Sequence, residues 1–174
     1  MLNTRNPREK AAVRPVPDLP LEAVGAFASN NGVERQVARE KLVAMGKAAT
    51  PALVDCLEDP RKNVRWEAAK TLIKIRDPAA AEPLVAALED EDGDVRWLAA
   101  VALAAIGREA LRPLLVALIE SPDSNHVLRG GHHVCHELAR TDAYPVVKPV
   151  LDAIDAPEPR TAVPQAAYKA LHAL

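Results

Sequence analysis

The segment from His126 to Arg140, HVLRGGHHVCHELAR, holds the side chains of this chain that are best suited to chemistry. It contains four of the five histidines, one of the two cysteines and a glutamate. His132 and His136 lie four residues apart, so on a helix both imidazoles face the same side and could bind one zinc or iron ion. Whether they do so depends on the register of the helix that carries them.

A third histidine, His172, aligns with His136 when the end of the chain is superposed on this segment. The two rings could then lie one helix spacing apart, roughly 8–10 Å. A structural site needs a fourth ligand, which the spacing does not supply, so we expect no bound metal. Two other interpretations apply to His132, His136 and His172. The rings either fill a seam between repeats, with hydrogen bonds to carbonyl groups or to Tyr168, or contact a partner.

The elements that carry these residues belong to an internal repeat. The segments VRWEAAKTLIKIR from Val64 and VRWLAAVALAAIG from Val95 share the Val, Arg, Trp, Ala-Ala, Leu and Ile positions at an offset of 31 residues. Self-similarity at such a period is typical of repeat arrays. Each copy continues through a proline into a second apolar stretch, which makes each unit two helices and a turn. Full repeats start near Asn31, Lys62, Asp92 and Ser124.

The apolar positions within each first helix define one buried face. Val64, Ala68, Leu72 and Ile75 follow the spacing of one side of an α-helix. A single helical pair cannot bury this face alone, so the copies must stack. We therefore predict an all-α fold over residues 21–174, an α-α superhelix of about four helical-pair repeats with half repeats at both ends. Residues 1–20, which contain four prolines, are predicted to form a flexible arm.

Composition argues against several classes of function. The formal net charge is −2, and no run of Lys and Arg exceeds short pairs, so binding to nucleic acid has little electrostatic support. The apolar stretches are shorter than a membrane span, and the N-terminus lacks the apolar core of a secretion signal. Cys56 and Cys135 make no disulfide framework and fall on inward faces. We expect a cytoplasmic protein with neither a nucleic acid nor a membrane as its partner.

The repeats VRWEAAKTL and VRWLAAVAL, with Asp94 before the second Val-Arg pair, resemble the HEAT-like repeats of phycobilisome bilin lyases and their relatives. The resemblance covers about residues 21–174 and implies a HEAT-like solenoid. It leaves function open, because this repeat serves scaffolds, lyase subunits and a metal oxygenase alike. It also implies that Arg35, Arg65 and Arg96 link neighbouring repeats as a structural ladder.

The di-iron relative with this repeat, deoxyhypusine hydroxylase, carries His-Glu pairs just after the Val-Arg pair. At those positions of this chain only Glu67 matches. The one His-Glu pair present, His136-Glu137, falls two helical turns later. The resemblance therefore does not extend to that activity, and we expect a protein that is not an enzyme.

Trp66 and Trp97 occupy the same position in adjacent repeats, with Arg129 and Gln165 next in register. Either each Trp fills the joint between two repeats, or the row is an exposed stripe with the composition of binding hot spots. We predict a non-enzymatic scaffold for protein–protein interaction that needs no cofactor, with Trp66, Trp97, Arg129 and His132 in the partner-binding site. The alternative, suggested by the resemblance and the histidines, is a tetrapyrrole- or metal-binding module or a bilin-lyase-like subunit.

Overall fold

The computed structural model describes residues 19–174, which form ten α-helices joined by short turns, without any strand in this range. The helices are α1 (Leu19–Gly25), α2 (Gly32–Met45), α3 (Thr50–Cys56), α4 (Lys62–Ile75), α5 (Ala81–Ala86), α6 (Gly93–Ile106), α7 (Leu111–Glu120), α8 (Asn125–Leu138), α9 (Tyr144–Ile154) and α10 (Pro159–His172). Helix α1 includes the last two residues of the predicted arm. The other residues of the arm lie outside the described range.

The first helix of each repeat has the same length in all four copies, since α2, α4, α6 and α8 each contain 14 residues. Three of these helices follow a residue whose side chain accepts a backbone N–H of the first turn, namely Asn31, Asp92 and Ser124. Such N-caps satisfy donors that have no partner within the helix. The caps coincide with the repeat starts predicted from the sequence, so the predicted register is correct.

The helices form two layers, as the HEAT-like solenoid requires. Helices α2, α4, α6 and α8 pack side by side in the first layer, and α3, α5 and α7 each pack against the first-layer helix that follows in the chain. Leu72 and Leu103 are completely buried in this core, together with Ala68 and Ala99. The predicted all-α array is confirmed.

The C-terminal end departs from the simple continuation of the array. Helix α10 makes its main contacts with α7 and α9, so it does not extend the row of first helices beyond α8. The predicted placements of Gln165 next to Arg129 and of His172 next to His136 are therefore wrong. The reason is burial: α7 carries four leucines without solvent exposure, and α10 covers the side of α7 that would otherwise be open.

Two adjacent glycines let α8 approach its neighbours closely. A Cβ atom on Gly130 would lie 2.6 Å from Leu88 Cδ2, and one on Gly131 would lie 3.1 Å from Leu118 Cδ2. Both distances are too short for ordinary van der Waals contact. Each glycine costs up to ~1 kcal/mol in helix propensity relative to Ala, and the close approach of Leu88 and Leu118 explains why glycine occupies these positions.

The predicted structural ladder is formed in part: all three motif arginines bond to the turn before their own helix, but within residues 19–174 only Arg35 and Arg65 also pair with a carboxylate further along the chain. Each donates from Nη1 to the main-chain oxygen six residues earlier, in the turn before its own helix: Arg35 to Ser29 at 2.7 Å, Arg65 to Asp59 at 2.9 Å and Arg96 to Asp90 at 2.6 Å. These bonds tie each first helix to the turn that precedes it. They satisfy carbonyl groups that the turn leaves without a backbone partner.

Two of these arginines also connect neighbouring repeats. Arg65 forms a bidentate pair with Asp90, at 2.7 Å from Nε and 3.0 Å from Nη2, and both side chains are more than nine-tenths buried. Arg35 donates from Nε to Glu67 at 3.1 Å, and Arg39 also pairs with Glu67. Glu67, the one residue that matched the di-iron pattern, is thus held in a structural ion-pair cluster.

Candidate partner-binding groove

A groove of about 310 Å³ lies between α6 and α8, and we call it the α6–α8 groove. Its walls include Trp97 and Arg96 from α6, and Arg129 and His133 from α8. Leu88, from the turn after α5, lies against Gly130 at its base. Gly130 thus lets α8 lie close to Leu88 at the base of the groove, while larger side chains stand at its edges.

Trp97 is the most prominent side chain of the groove. It is 57% exposed, so it does not fill the joint between two repeats. Its ring contacts the imidazole of His133, with the ring centroids 4.5 Å apart and tilted by 49°. An aromatic ring held by one neighbour and open on its other side is a typical anchor for a partner.

Arg129 stands opposite Trp97 on α8 and is exposed. The carboxylates near α8 contact other side chains: Glu89 contacts His126, Asp155 contacts His132, and Glu137 contacts His136 and Arg140. Within residues 19–174, Arg129 thus has no carboxylate partner. Its guanidinium is free to bind a carboxylate of another molecule in a bidentate manner.

The four residues of the predicted partner-binding site do not form one continuous site. Trp97 and Arg129 share the α6–α8 groove, whereas Trp66 on α4 is half-buried and lies outside it, with Lys70 Nζ 4.2 Å from its ring centroid. His132 lines a separate depression beside Arg129, and its Nε2 lies 3.4 Å from Asp155 Oδ1. Arg129 is the residue that borders both.

His133 is a groove residue that the sequence did not identify. By register it aligns with Val101 near the outer face, and its spacing of four residues from Glu137 is typical of a solvated pair on a helix. A signal was nevertheless present, because Arg129 aligns with Trp97 and His133 follows it by four residues. Side chains on a helix lean towards its N-terminus, so the His133 ring reaches back to the level of Trp97 on the adjacent helix.

The three candidate metal ligands do not converge on one point: His132 and His136 lie together, and His172 has other neighbours. The rings of His132 and His136 are stacked with centroids 6.1 Å apart. His172 packs on the ring of Tyr168, and its Nδ1 lies 2.8 Å from the Tyr168 carbonyl oxygen. Across the described part of the chain, no three His, Cys, Asp or Glu side chains converge in a way that could hold a metal ion.

The two cysteines are buried, unpaired thiols. Burial raises the pKa of Cys56 to about 11 and that of Cys135 to about 12. Asp59 and Asp55 contribute to the rise at Cys56. A thiol with so high a pKa stays protonated at neutral pH and is a poor nucleophile. The inward position of both residues is as the sequence predicted.

Burial also lowers the pKa of His133 below its ordinary value. Glu137 opposes this effect, while His136 and His132 add to it. The folded protein therefore binds a proton at His133 less readily than the unfolded chain does. Above the unfolded pKa of about 6.5 His133 is neutral in both states and does not oppose folding. As the pH falls below that value, the unfolded chain takes up the proton more readily, so the free energy of unfolding decreases.

We therefore expect the folded protein to lose stability on acidification through His133. In His133→Gln, the urea midpoint should fall less than in the wild-type protein between neutral and mildly acidic pH. The imidazole resonance of His133 should titrate below that of free histidine. A titration at or above the value of free histidine, with identical pH profiles for the two proteins, would contradict this expectation.

Stacked helical pairs of this kind define an α-solenoid. Comparison of the sequence with known protein families shows which class of α-solenoid this is. The family model of HEAT repeats matches the chain over residues 23–96 and again over residues 50–129. Together the two matches cover more than half of the chain, and they include Trp97 and Arg129. The chain therefore belongs to the HEAT-repeat proteins.

No curated protein matches it. No helix in residues 19–174 has the length and apolar character needed to cross a membrane.

Proposed function

We propose that this protein is a non-enzymatic scaffold that binds another protein or a peptide in the α6–α8 groove. HEAT repeats commonly serve as protein-interaction scaffolds. We place this function in the cytoplasm, where free thiols such as Cys56 and Cys135 stay reduced.

The observation that carries this proposal is the exposed ring of Trp97 in the same groove as the guanidinium of Arg129, which has no carboxylate partner among residues 19–174. Trp and Arg are the residue types that most often dominate binding energy at interfaces, and one such anchor can contribute about 2 kcal/mol or more. The part of the Trp97 ring that stays in water contributes nothing to folding by burial. A partner that covers it recovers the free energy of burying that surface.

Replacing either anchor should weaken binding without affecting the fold. We expect Trp97→Ala and Arg129→Ala each to lower the affinity for a captured and purified partner by about tenfold or more. Helical content should stay unchanged, because both side chains are exposed. Titration of the purified partner by calorimetry measures the affinities, and circular dichroism checks the helices.

Tyr168→Ala provides a matched control, because Tyr168 is as exposed as Trp97 but lies on α10, away from the groove. It should bind the partner like the wild-type protein. Equal binding by Trp97→Ala and the wild-type protein would place the site elsewhere. A purified protein with visible absorption, or with stoichiometric zinc or iron that is lost in His132→Ala, would support the tetrapyrrole- or metal-binding alternative.

A further inference from the structure

We infer that the partner segment seated in the α6–α8 groove is acidic: a peptide stretch in which an Asp or Glu side chain lies beside an apolar side chain. This inference rests on the proposed function of the groove. It concerns the chemistry of the partner, which neither the fold nor the repeat family specifies.

The first observation is the charge of the groove. Every ionisable side chain that lines it is of a basic type, namely Arg96, His126, Arg129 and His133, although the chain as a whole has a formal net charge of −2. The groove between α5 and α7 has the opposite character, since it is lined by Glu82, Glu109, Glu120 and only one cation, Arg112. The positive groove is therefore a local feature of the surface.

The second observation is that both arginines still have unused hydrogen-bonding capacity. Arg96 donates from Nη1 to the carbonyl oxygens of Asp90 and Glu91, and these bonds hold the side chain in place without neutralising its charge. Arg129 makes no ion pair within residues 19–174. One guanidinium comes from each helix that flanks the groove, so a carboxylate between α6 and α8 can accept hydrogen bonds from both sides.

The histidines are less available to an anion than the arginines. His126 Nδ1 lies 3.1 Å from Glu89 Oε2 at the rim, and burial keeps His133 neutral by lowering its pKa. The fixed positive charge of the groove thus comes from Arg96 and Arg129. Because arginine stays protonated throughout the physiological range, the preference for an acidic segment should hold at neutral pH.

The third observation is the apolar lining next to these cations. Leu88 and Ala100 are almost fully buried beneath the groove, and the missing side chain of Gly130 leaves room beside Leu88. The ring of Trp97 closes one side. A volume of about 310 Å³ is at the small end of the range for ligand sites, so it suits one or two side chains of a peptide.

A peptide fits these features better than a nucleic acid does. Nucleic acids gain most of their affinity from many simultaneous phosphate contacts, whereas this groove offers two fixed cations on a chain with net negative charge. A single carboxylate with an adjacent apolar side chain uses both the guanidinium groups and the surface formed by Trp97 and Leu88. The groove therefore selects one acidic residue in an apolar context.

The test is a selection of short random peptides, displayed on phage, against the immobilised full chain. We expect the enriched peptides to contain Asp or Glu next to a large apolar residue. Replacing that acidic residue by its amide, or Arg129 by Ala, should weaken binding of the synthetic peptide at least tenfold, and added salt should weaken it further. Arg112→Ala, in the acidic groove, is the control and should bind the peptide like the wild-type protein.

The possible outcomes separate this inference from the proposed function. Enriched peptides that depend on Trp97 but are neutral or basic would overturn the acidic preference and leave the groove as a docking site. The absence of any peptide whose binding is lost in Trp97→Ala would overturn the docking site itself. A single-stranded oligonucleotide of the same charge that binds as tightly as the peptide would contradict the assignment to a peptide. If the variant Arg129→Glu enriched basic peptides instead, the result would support Arg129 as the residue that sets the preference for an acidic segment.

Discussion

Leu103→Asp is expected to unfold the protein. Leu103 lies on α6 in the centre of the array and has no solvent exposure. An aspartate there would place a carboxylate without a partner among apolar side chains, which costs several kcal/mol even when the group is protonated instead. Because domains are stable by only about 5–15 kcal/mol, the substitution removes most of the stability. Circular dichroism during thermal and urea unfolding measures the loss.

Val37→Asp serves as the control for Leu103→Asp. Val37 lies on α2, also a first-layer helix, but 44% of it is exposed. The introduced carboxylate would be hydrated, and the melting temperature should change little. If Leu103→Asp had the same melting temperature as Val37→Asp and the wild-type protein, the buried and exposed faces of the repeat would be assigned incorrectly.

Arg65→Ala should have the second-largest effect, a loss of about 3 kcal/mol in the free energy of unfolding. The Arg65 and Asp90 side chains are 7% and 6% exposed and form two hydrogen bonds with each other. Removing the guanidinium leaves a buried carboxylate without its countercharge and releases the main-chain oxygen of Asp59. Urea unfolding monitored by circular dichroism gives the difference in free energy.

Arg61→Ala is the matched control, because Arg61 also pairs with a carboxylate of the chain, that of Asp59, but its side chain is 58% exposed. Exposed pairs contribute little to stability, so this variant should unfold like the wild-type protein. If Arg65→Ala were no less stable than Arg61→Ala, the ladder would not hold the repeats together.

The array itself could be predicted because its signal is repeated. The apolar spacing of Val64, Ala68 and Leu72 recurs in each copy, and the caps at Asn31 and Asp92 mark the same point of each repeat. Local periodicity and capping are properties of short segments, and in a solenoid each repeat contacts chiefly its neighbours. Sequence comparison within the chain therefore specifies both the helices and their inward faces.

The end of the array could not be predicted in the same way. Val163 and Ala167 match the helical pattern of the earlier copies and are buried, but the pattern does not say which helix they pack against. Helix α10 packs mainly on α7 and α9, so covering the side of α7 that the earlier helices leave open determines the packing of α10. The predicted proximity of His172 to His136 failed for this reason.

The repeat register aligned Trp66 with Trp97, but it could not predict the surroundings of each ring. Equivalent positions in a repeat need not have equivalent neighbours. Trp66 and Trp97 align, yet Trp66 has Lys70 over its ring, whereas the equivalent position in α6 is Val101. Trp97 instead meets His133 from the next helix. A contact within α4 at Trp66 and a contact between repeats at Trp97 thus give two aligned tryptophans different surroundings.

The proposed docking role of Trp97 can be tested directly in the variant Trp66→Phe, in which Trp97 is the remaining tryptophan. Its emission should be red-shifted and quenched by iodide in the free protein. Saturation with a purified partner or a selected peptide should shift the emission to the blue and protect it from iodide. Emission that is already blue-shifted and protected in the free protein, or that does not change on saturation, would contradict the assignment of the α6–α8 groove as the binding site.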